Sequence, residues 1–454
     1  MMHSVPDPEA EVIVPPRVRP AAKPLRFPFN LIQTLVDNVA LVPCQAYEEE
    51  VVLAPGPPRM AFITGPSAVE TVLKTQADEF SKGHLQKSVL APMMGNAMIN
   101  CDGADWRWQR ALTAPLFRYQ ELLRYVPVMQ GAADEVIATW RQDSRGAPRA
   151  INRDMIRAAF AVISRTMLVG GANEVLTTIE KGHAAYFRNV NWLVLYRMFG
   201  LPFWLPRPGG NTMRAHERDT RASVRELIEA RLSDTDKKDD LLGRLLSAGM
   251  PIERLIDNVL AFIVAGFDTT ALGLSWSLYL IAQSPHWQER MRREVRDVAG
   301  DGPIGPEHLD SLVATEQVLK EALRLFPTAP IIIRDIDQEI ELSGVRVPAG
   351  TIGLIPIYAI HRHKRLWRAP EKFDPARFDP DGAETLGRYS YLPFGAGPRI
   401  CIGAAFTMIE SKIILANAVR AARFEPDPTH SPRPTGQIFL TGNGNINIRV
   451  HPIG

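Results

Sequence analysis

A glycine-rich loop delivers one cysteine to the start of an apolar helix near the carboxyl end of the chain. The loop, from Phe394 to Gly403, reads FGAGPRICIG, its cysteine is Cys401, and the predicted helix covers 404–419. Free backbone amides at a helix start lower the pKa of a thiol and favour the thiolate. Glycines let amides point at the sulfur and let a flat group lie close. A lone cysteine is more often an inert core residue, but this loop favours a reactive or metal-binding thiolate.

An acid and an alcohol lie side by side inside a helix that is otherwise apolar. They are Asp268 and Thr269. Helical spacing places Thr269 on one face with Ala265, Gly266 and Gly273, which predicts a shallow groove beside the hydroxyl. A buried acid is costly, which suggests that it is used. The structural alternative is that Thr269 bonds back to a backbone carbonyl while Asp268 pairs with a distant base.

Two other pairs combine an arginine with a partner at helical spacing. Glu321 and Arg324 are three residues apart, and Trp106 and Arg110 are four apart. Alone, each pair is more typical of an ordinary surface or amphipathic helix. A tryptophan N–H and a guanidinium aimed together nevertheless suit a carboxylate.

Other chemistries lack their motifs. His361 and His363 have no third ligand at a recognisable spacing, so a metal site there is not predicted. The chain shows no nucleophile elbow, Walker loop, dinucleotide fingerprint or aromatic nucleic-acid platform. If the thiolate supports redox chemistry, the electrons must therefore come from a separate protein.

Taken in order along the chain, these motifs resemble those of the cytochrome P450 family. The loop from Phe394 to Gly403 is similar to the family's heme-binding signature, and AGFDTT at 265–270 is similar to its acid and alcohol pair. Glu321 and Arg324, with Arg377 in the segment FDPARF, resemble its charged triad. The resemblance runs from about Val51 to Val450 and implies the P450 fold.

The resemblance implies roles for particular residues. Cys401 would hold the iron of heme b (iron protoporphyrin IX), a thiolate ligation that favours oxygen–oxygen cleavage. Asp268 and Thr269 would be catalytic in oxygen activation and proton delivery. Glu321, Arg324 and Arg377 would form a buried structural triad that fixes the cysteine loop. Further heme contacts are implied for Trp106, Arg110, Ala265, Arg334, Phe394, Arg399 and Gly403.

The implied activity is that of a heme-thiolate monooxygenase. It would insert one oxygen atom of O2 into a small apolar organic substrate, by hydroxylation or epoxidation. Its electrons would come from a ferredoxin or flavodoxin with its NAD(P)H reductase, docked on a basic patch of Arg107, Arg118 and Lys412. The substrate would be held by apolar side chains, which are Met93, Met94, Met98, Phe262, Ala329, Ile331 and Leu440.

Two competing functions stay open. One is a peroxygenase or heme-thiolate isomerase that needs no electron donor, against which Asp268 and Thr269 argue. The other is a noncatalytic heme protein, either a gas sensor or a carrier of small apolar ligands. Turnover with dioxygen and a surrogate electron donor would separate the last from the monooxygenase.

The elements that must position these residues are mainly helices. The 454 residues are 46% hydrophobic and carry a net charge of +2, which excludes a disordered chain and a general attraction to nucleic acid. We expect one mainly α domain with small β-sheets (α+β) over 1–454, with a proline-rich arm at about 1–28. Strands are predicted within 51–64 and 331–357, and helices over 105–117, 120–141, 151–168, 212–232 and 252–282. The segments near residues 95 and 205 look irregular.

Compartment and assembly are also predicted. Three cysteines in a long chain argue against a disulfide framework and for a reducing compartment, so we expect a cytoplasmic protein. The amino terminus lacks the pattern of a signal peptide, and we interpret the apolar stretch Val259 to Ile281 as a buried core helix rather than a transmembrane segment. We expect a monomer, of the type seen in soluble bacterial members of the family.

Overall fold

The helices form the bulk of the molecule, which confirms the predicted mainly α fold with small sheets. The computed structural model describes residues 12–26, 28–54, 56–142, 146–167, 173–198, 201–202, 204–234, 239–379 and 387–453. Its α-helices are α1 (Phe29–Val36), α2 (Pro66–Glu70), α3 (His84–Met94), α4 (Gly103–Thr113), α5 (Tyr119–Leu122), α6 (Val126–Gln142), α7 (Ile151–Met167), α8 (Asn173–Met198), α9 (Gly210–Ser233), α10 (Leu241–Ser247), α11 (Ile252–Ala282), α12 (Pro285–Ala299), α13 (Val313–Leu325), α14 (Ile357–Ile360) and α15 (Ala404–Ala421).

Short helical turns join several of these helices. The 3-10 turns are Cys44–Tyr47, Ala114–Phe117, Leu123–Tyr125, Pro306–Ser311 and Pro375–Phe378, and Thr71–Thr75 is a π-helical turn. The predicted helix over 105–117 is thus α4 followed by a 3-10 turn. The helix predicted over 120–141 divides in the same way into α5, a 3-10 turn and α6.

The strands form small sheets at the rim of the helical body. They are β1 (Val51–Ala54), β2 (Met60–Ile63), β3 (Pro148–Ala150), β4 (Ile332–Ile336), β5 (Ile340–Leu342), β6 (Val345–Val347), β7 (Thr351–Ile355), β8 (Ala422–Pro426), β9 (Thr435–Gly436), β10 (Leu440–Thr441) and β11 (Asn447–Pro452). The largest sheet has the order β1-β2-β7-β4, in which β2 and β7 are parallel and the other pairs antiparallel. It contains strands from both predicted regions, and β5 and β6 of the second region pair in a separate sheet; the sheet β3-β11-β8 was not predicted.

Helix α11 runs through the main core. Its bounds are those predicted, and 67% of its most apolar window is buried inside the protein. By length and composition alone it could cross a membrane, but a buried core helix passes the same test. It packs against α7, α13 and α15.

The two glycines of α11 serve helix packing. A Cβ on Gly266 would lie 3.2 Å from Ile163 of α7, and one on Gly273 would lie 3.3 Å from Leu323 of α13. Ala265, Gly266 and Thr269 are nevertheless only partly buried, so the groove expected beside the Thr269 hydroxyl stays a prediction.

Other expectations about local structure need adjustment. The segment near residue 95 is not wholly irregular, because Leu90–Met94 completes α3 even though Pro92 lies inside the helix. In the arm, Val18 is buried and donates its backbone N–H to the Tyr358 hydroxyl at 3.0 Å, so this part lies on the body. Residues 1–11 and 27 of the arm, residue 168 of the helix predicted over 151–168, and residue 203 of the segment near 205 lie outside the described residues.

Candidate active site

The cysteine loop is held by its own backbone and by a turn from the other end of the chain. Cys401 donates its N–H to the Phe394 carbonyl at 2.9 Å, and Ile400 donates to the Gly397 carbonyl at 3.1 Å. Gly397 has a φ of +72°, and a Cβ there would lie 1.9 Å from the Leu73 carbonyl oxygen. No other residue fits this position, because it combines left-handed backbone with a contact to backbone.

The Cys401 thiol is both accessible to solvent and closely surrounded by protein. Solvent reaches the side chain, and yet protein surrounds it closely enough that burial raises its pKa, against the opposing influence of the Gly403 amide and the Arg110 charge. These two observations agree if the thiol lines a cavity that a ligand could fill. The expectation that the helix start lowers the thiol pKa is wrong for this structure, because desolvation outweighs the amides.

A group of charged side chains lies beside the loop. It consists of three basic residues, Lys82, Arg334 and Arg399, and one acid, Asp102, and we call it the basic cluster. Arg399 pairs with Asp102 at 3.0 Å and donates to the Phe80 carbonyl at 2.6 Å. Lys82 donates from Nζ to the Met98 carbonyl at 2.6 Å. Asp102 also forms an ion pair with Lys87, whose Nζ lies 2.6 Å from Oδ2.

The basic cluster has more positive than negative charge. Arg334 is buried on β4, donates one bond to the Ile333 carbonyl at 2.8 Å, and has no partner for its Nε among the described residues. Burial, with Arg399 nearby, lowers the pKa of Arg334 to about 10, and burial lowers the pKa of Lys82 to about 8. Buried cations normally require anionic partners. The cluster therefore suits a ligand that brings carboxylates.

Trp106 and Arg110 complete this side of the site. Trp106 is buried against Met98 and Cys101, and its ring centroid lies 5.9 Å from the Arg399 guanidinium carbon. Arg110 is half-buried, and its charge acts on Cys401. A thiol in an accessible space beside unmatched cations fits heme, whose iron takes a thiolate and whose propionates take cations.

The acid and alcohol of α11 each have a definite contact. Thr269 donates from its hydroxyl to the Ala265 carbonyl at 2.7 Å. Asp268 lies 2.7 Å from Nε2 of His183, on α8. Thr269 thus bonds back to a backbone carbonyl and Asp268 meets a base from another helix, as the structural alternative in the sequence analysis expects. Both side chains are only partly exposed. Thr270, next along the helix, is buried near Glu410 of α15, whose pKa burial raises well above its ordinary value.

Glu321, Arg324 and Arg377 come together in the core. Arg324 binds both carboxylate oxygens of Glu321, at 2.6 and 2.8 Å, and Arg377 lies 3.6 Å from the same carboxylate. The rest of the Arg324 guanidinium donates to the carbonyls of His361, Pro370 and Lys372 at 2.7 to 2.9 Å. The Asp374 backbone N–H donates to Glu321 at 2.8 Å. The Arg324 guanidinium and the Glu321 carboxylate each have several hydrogen-bond partners here.

His361 joins this triad to the segment before the cysteine loop. Its Nδ1 lies 3.2 Å from the Arg324 carbonyl, and its Nε2 accepts the Leu392 backbone N–H at 2.8 Å. Burial and the Arg324 charge lower the pKa of His361 to about 3, so the ring is neutral. Sequence reasoning considered this histidine only as a metal ligand. Nothing in its spacing indicates that it bridges two segments.

The residues predicted for substrate lie in different settings. Met94 is buried against Ala261 and Val264 of α11, and Met98 packs with Trp106 and Phe262. The Phe262 ring also contacts Phe117, with centroids 5.6 Å apart. Ala329 is exposed and Ile331 half-buried, on the segment between α13 and β4, whereas Leu440 is fully buried in the main core.

Lys412 cannot contribute to the predicted basic docking patch. It is buried, forms an ion pair with Glu316, and donates to the Leu309 carbonyl at 2.9 Å. Arg107 and Arg118 are exposed. A groove of about 350 Å³ opens beside the loop, lined by Tyr119, Leu309, Asp310, Glu316, Lys320, Tyr391, Pro393, Phe394, Ala405, Met408, Ile409 and Lys412.

Comparisons with known proteins agree with this geometry. The family model described as Cytochrome P450 matches residues 23–450. Cyclooctatin synthase from Streptomyces melanosporofaciens is 30% identical over 93% of this chain and 90% of its own length. Cytochrome P450 4F8 from Homo sapiens is 30% identical over 86% of this chain and 80% of its own length. Taurochenodeoxycholic 6 alpha-hydroxylase from Sus scrofa is 28% identical over 87% of this chain and 82% of its own length.

Proposed function

The chain belongs to the cytochrome P450 family, whose members bind heme b and act as monooxygenases, and from this premise we propose that Cys401 would hold the iron of that heme. The observation that supports the assignment is the accessible Cys401 thiol inside close-packed protein, beside the basic cluster. When bound, the heme supplies the iron at which dioxygen is reduced and an oxygen atom is made available to substrate.

The basic cluster and its neighbours would orient the heme. Arg334 and Arg399 would bind propionates, together with Trp106 and Arg110 on α4. Lys82 would join this group, although no sequence motif around Lys82 predicted a heme contact. The Phe394 and Gly403 backbone would shape the loop around the thiolate, and Ala265 would line the opposite side on α11.

The proposed reaction is hydroxylation or epoxidation of a small apolar organic molecule. Met94 and Met98 pack against apolar side chains of α11, which include Phe262, and Ala329 and Ile331 would extend this wall from the segment before β4. Leu440, as a core residue, would support this wall from behind. Asp268 and Thr269 would hold and deliver the protons that oxygen reduction consumes, because they are the partly exposed polar side chains on this stretch of α11, whereas Thr270 is buried.

Electrons would arrive from a separate ferredoxin or flavodoxin with its NAD(P)H reductase, and the groove beside the cysteine loop is the proposed docking surface. Cys44, Cys101 and Cys401 are all free thiols, which supports a reducing, cytoplasmic location. Reduction that slows as salt rises would support charge-guided docking, in which Arg107 and Arg118 are the exposed cations.

The test of the heme ligand is the absorption spectrum of the dithionite-reduced protein under carbon monoxide. We expect the red-shifted Soret band that a thiolate opposite the gas produces. Cys401→His should keep heme and lose that band, while Cys44→Ser, a matched change at an exposed cysteine, should keep both. A band at the histidine-ligated position in the unaltered protein would contradict the assignment.

The role of Thr269 is tested by Thr269→Ala. Heme binding should persist, while electrons are diverted from product to hydrogen peroxide, because the hydroxyl that helps protons reach oxygen is lost. Ser275→Ala is the matched control, since Ser275 donates to the Ala271 carbonyl at 2.5 Å in the same helix. The measurement is the ratio of product formed to NAD(P)H consumed, and an unchanged ratio in Thr269→Ala would contradict the role.

A further inference from the structure

An imidazole from a neighbouring helix meets the acid of α11. Nε2 of His183, on α8, lies 2.7 Å from Oδ2 of Asp268, and their side chains are 14% and 15% exposed. Although the separation is short, the angles are not those of a hydrogen bond. The contact is therefore electrostatic in this state, and catalytic contacts often align only when substrate is bound.

Aromatic packing holds the His183 ring against the acid. Phe187, one turn later on α8, has its centroid 4.5 Å from the imidazole centroid, and the Phe267 centroid lies 4.9 Å away. Phe267 is itself buried and meets Phe160 edge-on at 5.3 Å. The imidazole thus has little freedom to leave Asp268.

His183 also lines a cavity on the side of α9. The cavity offers about 30 Å³ of space to water molecules, which is room for one or two. Its polar lining comes from α9, as His216, Glu217 and Thr220, and its apolar lining includes Pro92 and Met93 of α3 and Leu260 of α11. Most of the lining is apolar, but His183, His216, Glu217 and Thr220 provide polar partners for bound water.

The charged groups around the cavity favour a water chain. The Thr220 hydroxyl has no hydrogen-bond partner among the described residues and is buried. Burial raises the pKa of Glu217, with Arg221 and Arg207 opposing the rise. On α8 itself, the Tyr186 hydroxyl is committed to the Val89 carbonyl. The α3 lining residues carry no charge, so the titratable neighbours of the path are His216, Glu217 and Asp268.

We propose that His183 is a positioning residue that holds Asp268 and passes it protons from water in the cavity between α8 and α9. This rests on the proposed function, in which Asp268 and Thr269 supply protons for oxygen reduction. In each passage a protonated water in the cavity gives a proton to Nδ1 while the Nε2 proton moves to Oδ2 of the Asp268 carboxylate, which leaves a neutral water and a ring protonated at Nδ1. One proton is transferred in total, and exchange with cavity water restores the starting tautomer.

Two variants test the proposal in the heme-loaded protein with its electron donor. His183→Gln keeps a polar side chain without proton transfer, and His183→Phe keeps the ring contacts to Phe187 and Phe267. We expect each to lower kcat about 10-fold or more and to enlarge the solvent deuterium isotope effect. KM and the carbon monoxide spectrum should stay unchanged. His286→Gln, at an exposed histidine on α12, is the matched control and should change neither rate nor isotope effect.

A second readout does not depend on turnover. In the diamagnetic ferrous carbon monoxide form, the ring ¹⁵N resonances of His183 should move when Asp268 is changed to Asn, and those of His286 should not. Unchanged kcat and isotope effect in both His183 variants, or ¹⁵N resonances that ignore Asp268→Asn, overturn the inference alone. Loss of the thiolate band in the unaltered protein overturns the proposed function and the inference together.

Discussion

Two buried charged groups on either side of the cysteine loop differ in how completely their charges are matched. Around Glu321 and Arg324, ion pairs and backbone carbonyls satisfy the charges from all sides. In the basic cluster, Lys82, Arg334 and Arg399 meet one carboxylate, Asp102, which Lys87 also occupies. A complete network stabilises the protein itself. An incomplete one indicates what the protein binds.

The largest expected effect comes from breaking the complete network. Arg324→Ala leaves the Glu321 carboxylate buried without its main partner, which should cost about 3 to 5 kcal/mol. Urea unfolding should show this loss, or the variant should fail to accumulate as folded protein. Arg165→Ala, which breaks an exposed pair with Glu135, is the control and should cost about 1 kcal/mol or less. Equal losses of unfolding free energy in the two variants would contradict the idea that the buried network stabilises the protein more than an exposed ion pair.

The pH dependence of stability sharpens the same comparison, because His361 belongs to the complete network. Its folded pKa is about 3, whereas an unfolded histidine binds a proton near pH 6.5. As pH falls from about 6.5 toward 3, the unfolded state gains a proton that the folded state lacks, so the free energy of unfolding falls by up to about 1.4 kcal/mol per pH unit.

His361→Gln tests this, since glutamine can donate to the Arg324 carbonyl and accept from the Leu392 amide. Its unfolding free energy, measured by urea titration at several pH values, should decline less steeply than that of the unaltered protein on the acid side. Parallel declines would show that acid sensitivity lies elsewhere.

A smaller effect, of a different kind, is expected in the incomplete network. Arg334→Met removes an unmatched buried cation, so the heme-free protein should lose little stability or none. Heme should bind about 10-fold more weakly, which corresponds to about 1.4 kcal/mol. The rate of heme transfer to apomyoglobin measures this, with Arg346→Met, at an exposed arginine of β6, as control. A stability loss as large as that of Arg324→Ala would contradict the comparison.

What the sequence predicted well is what local pattern determines. Helix α11 has its predicted bounds, and most of its apolar window is buried in the core. Sequence motifs also predicted that Glu321, Arg324 and Arg377 come together in a buried triad. Lys82 and His183 gave no signal, since each is a single polar residue whose partner lies far away in sequence. The thiol pKa was misjudged for a related reason, because burial depends on segments that the loop motif does not contain.

The contact between the cysteine loop and the amino-terminal half has a consequence for biosynthesis. Arg399 bonds to the Phe80 carbonyl, 319 residues earlier, and Gly397 sits against Leu73. Contacts of such separation form late, because the long intervening loop must close first. On the ribosome, the pocket cannot assemble until the segment from Phe394 to Gly403 has emerged. Supply of the prosthetic group would therefore govern the yield of mature protein at its last step, after most of the helical body has already formed.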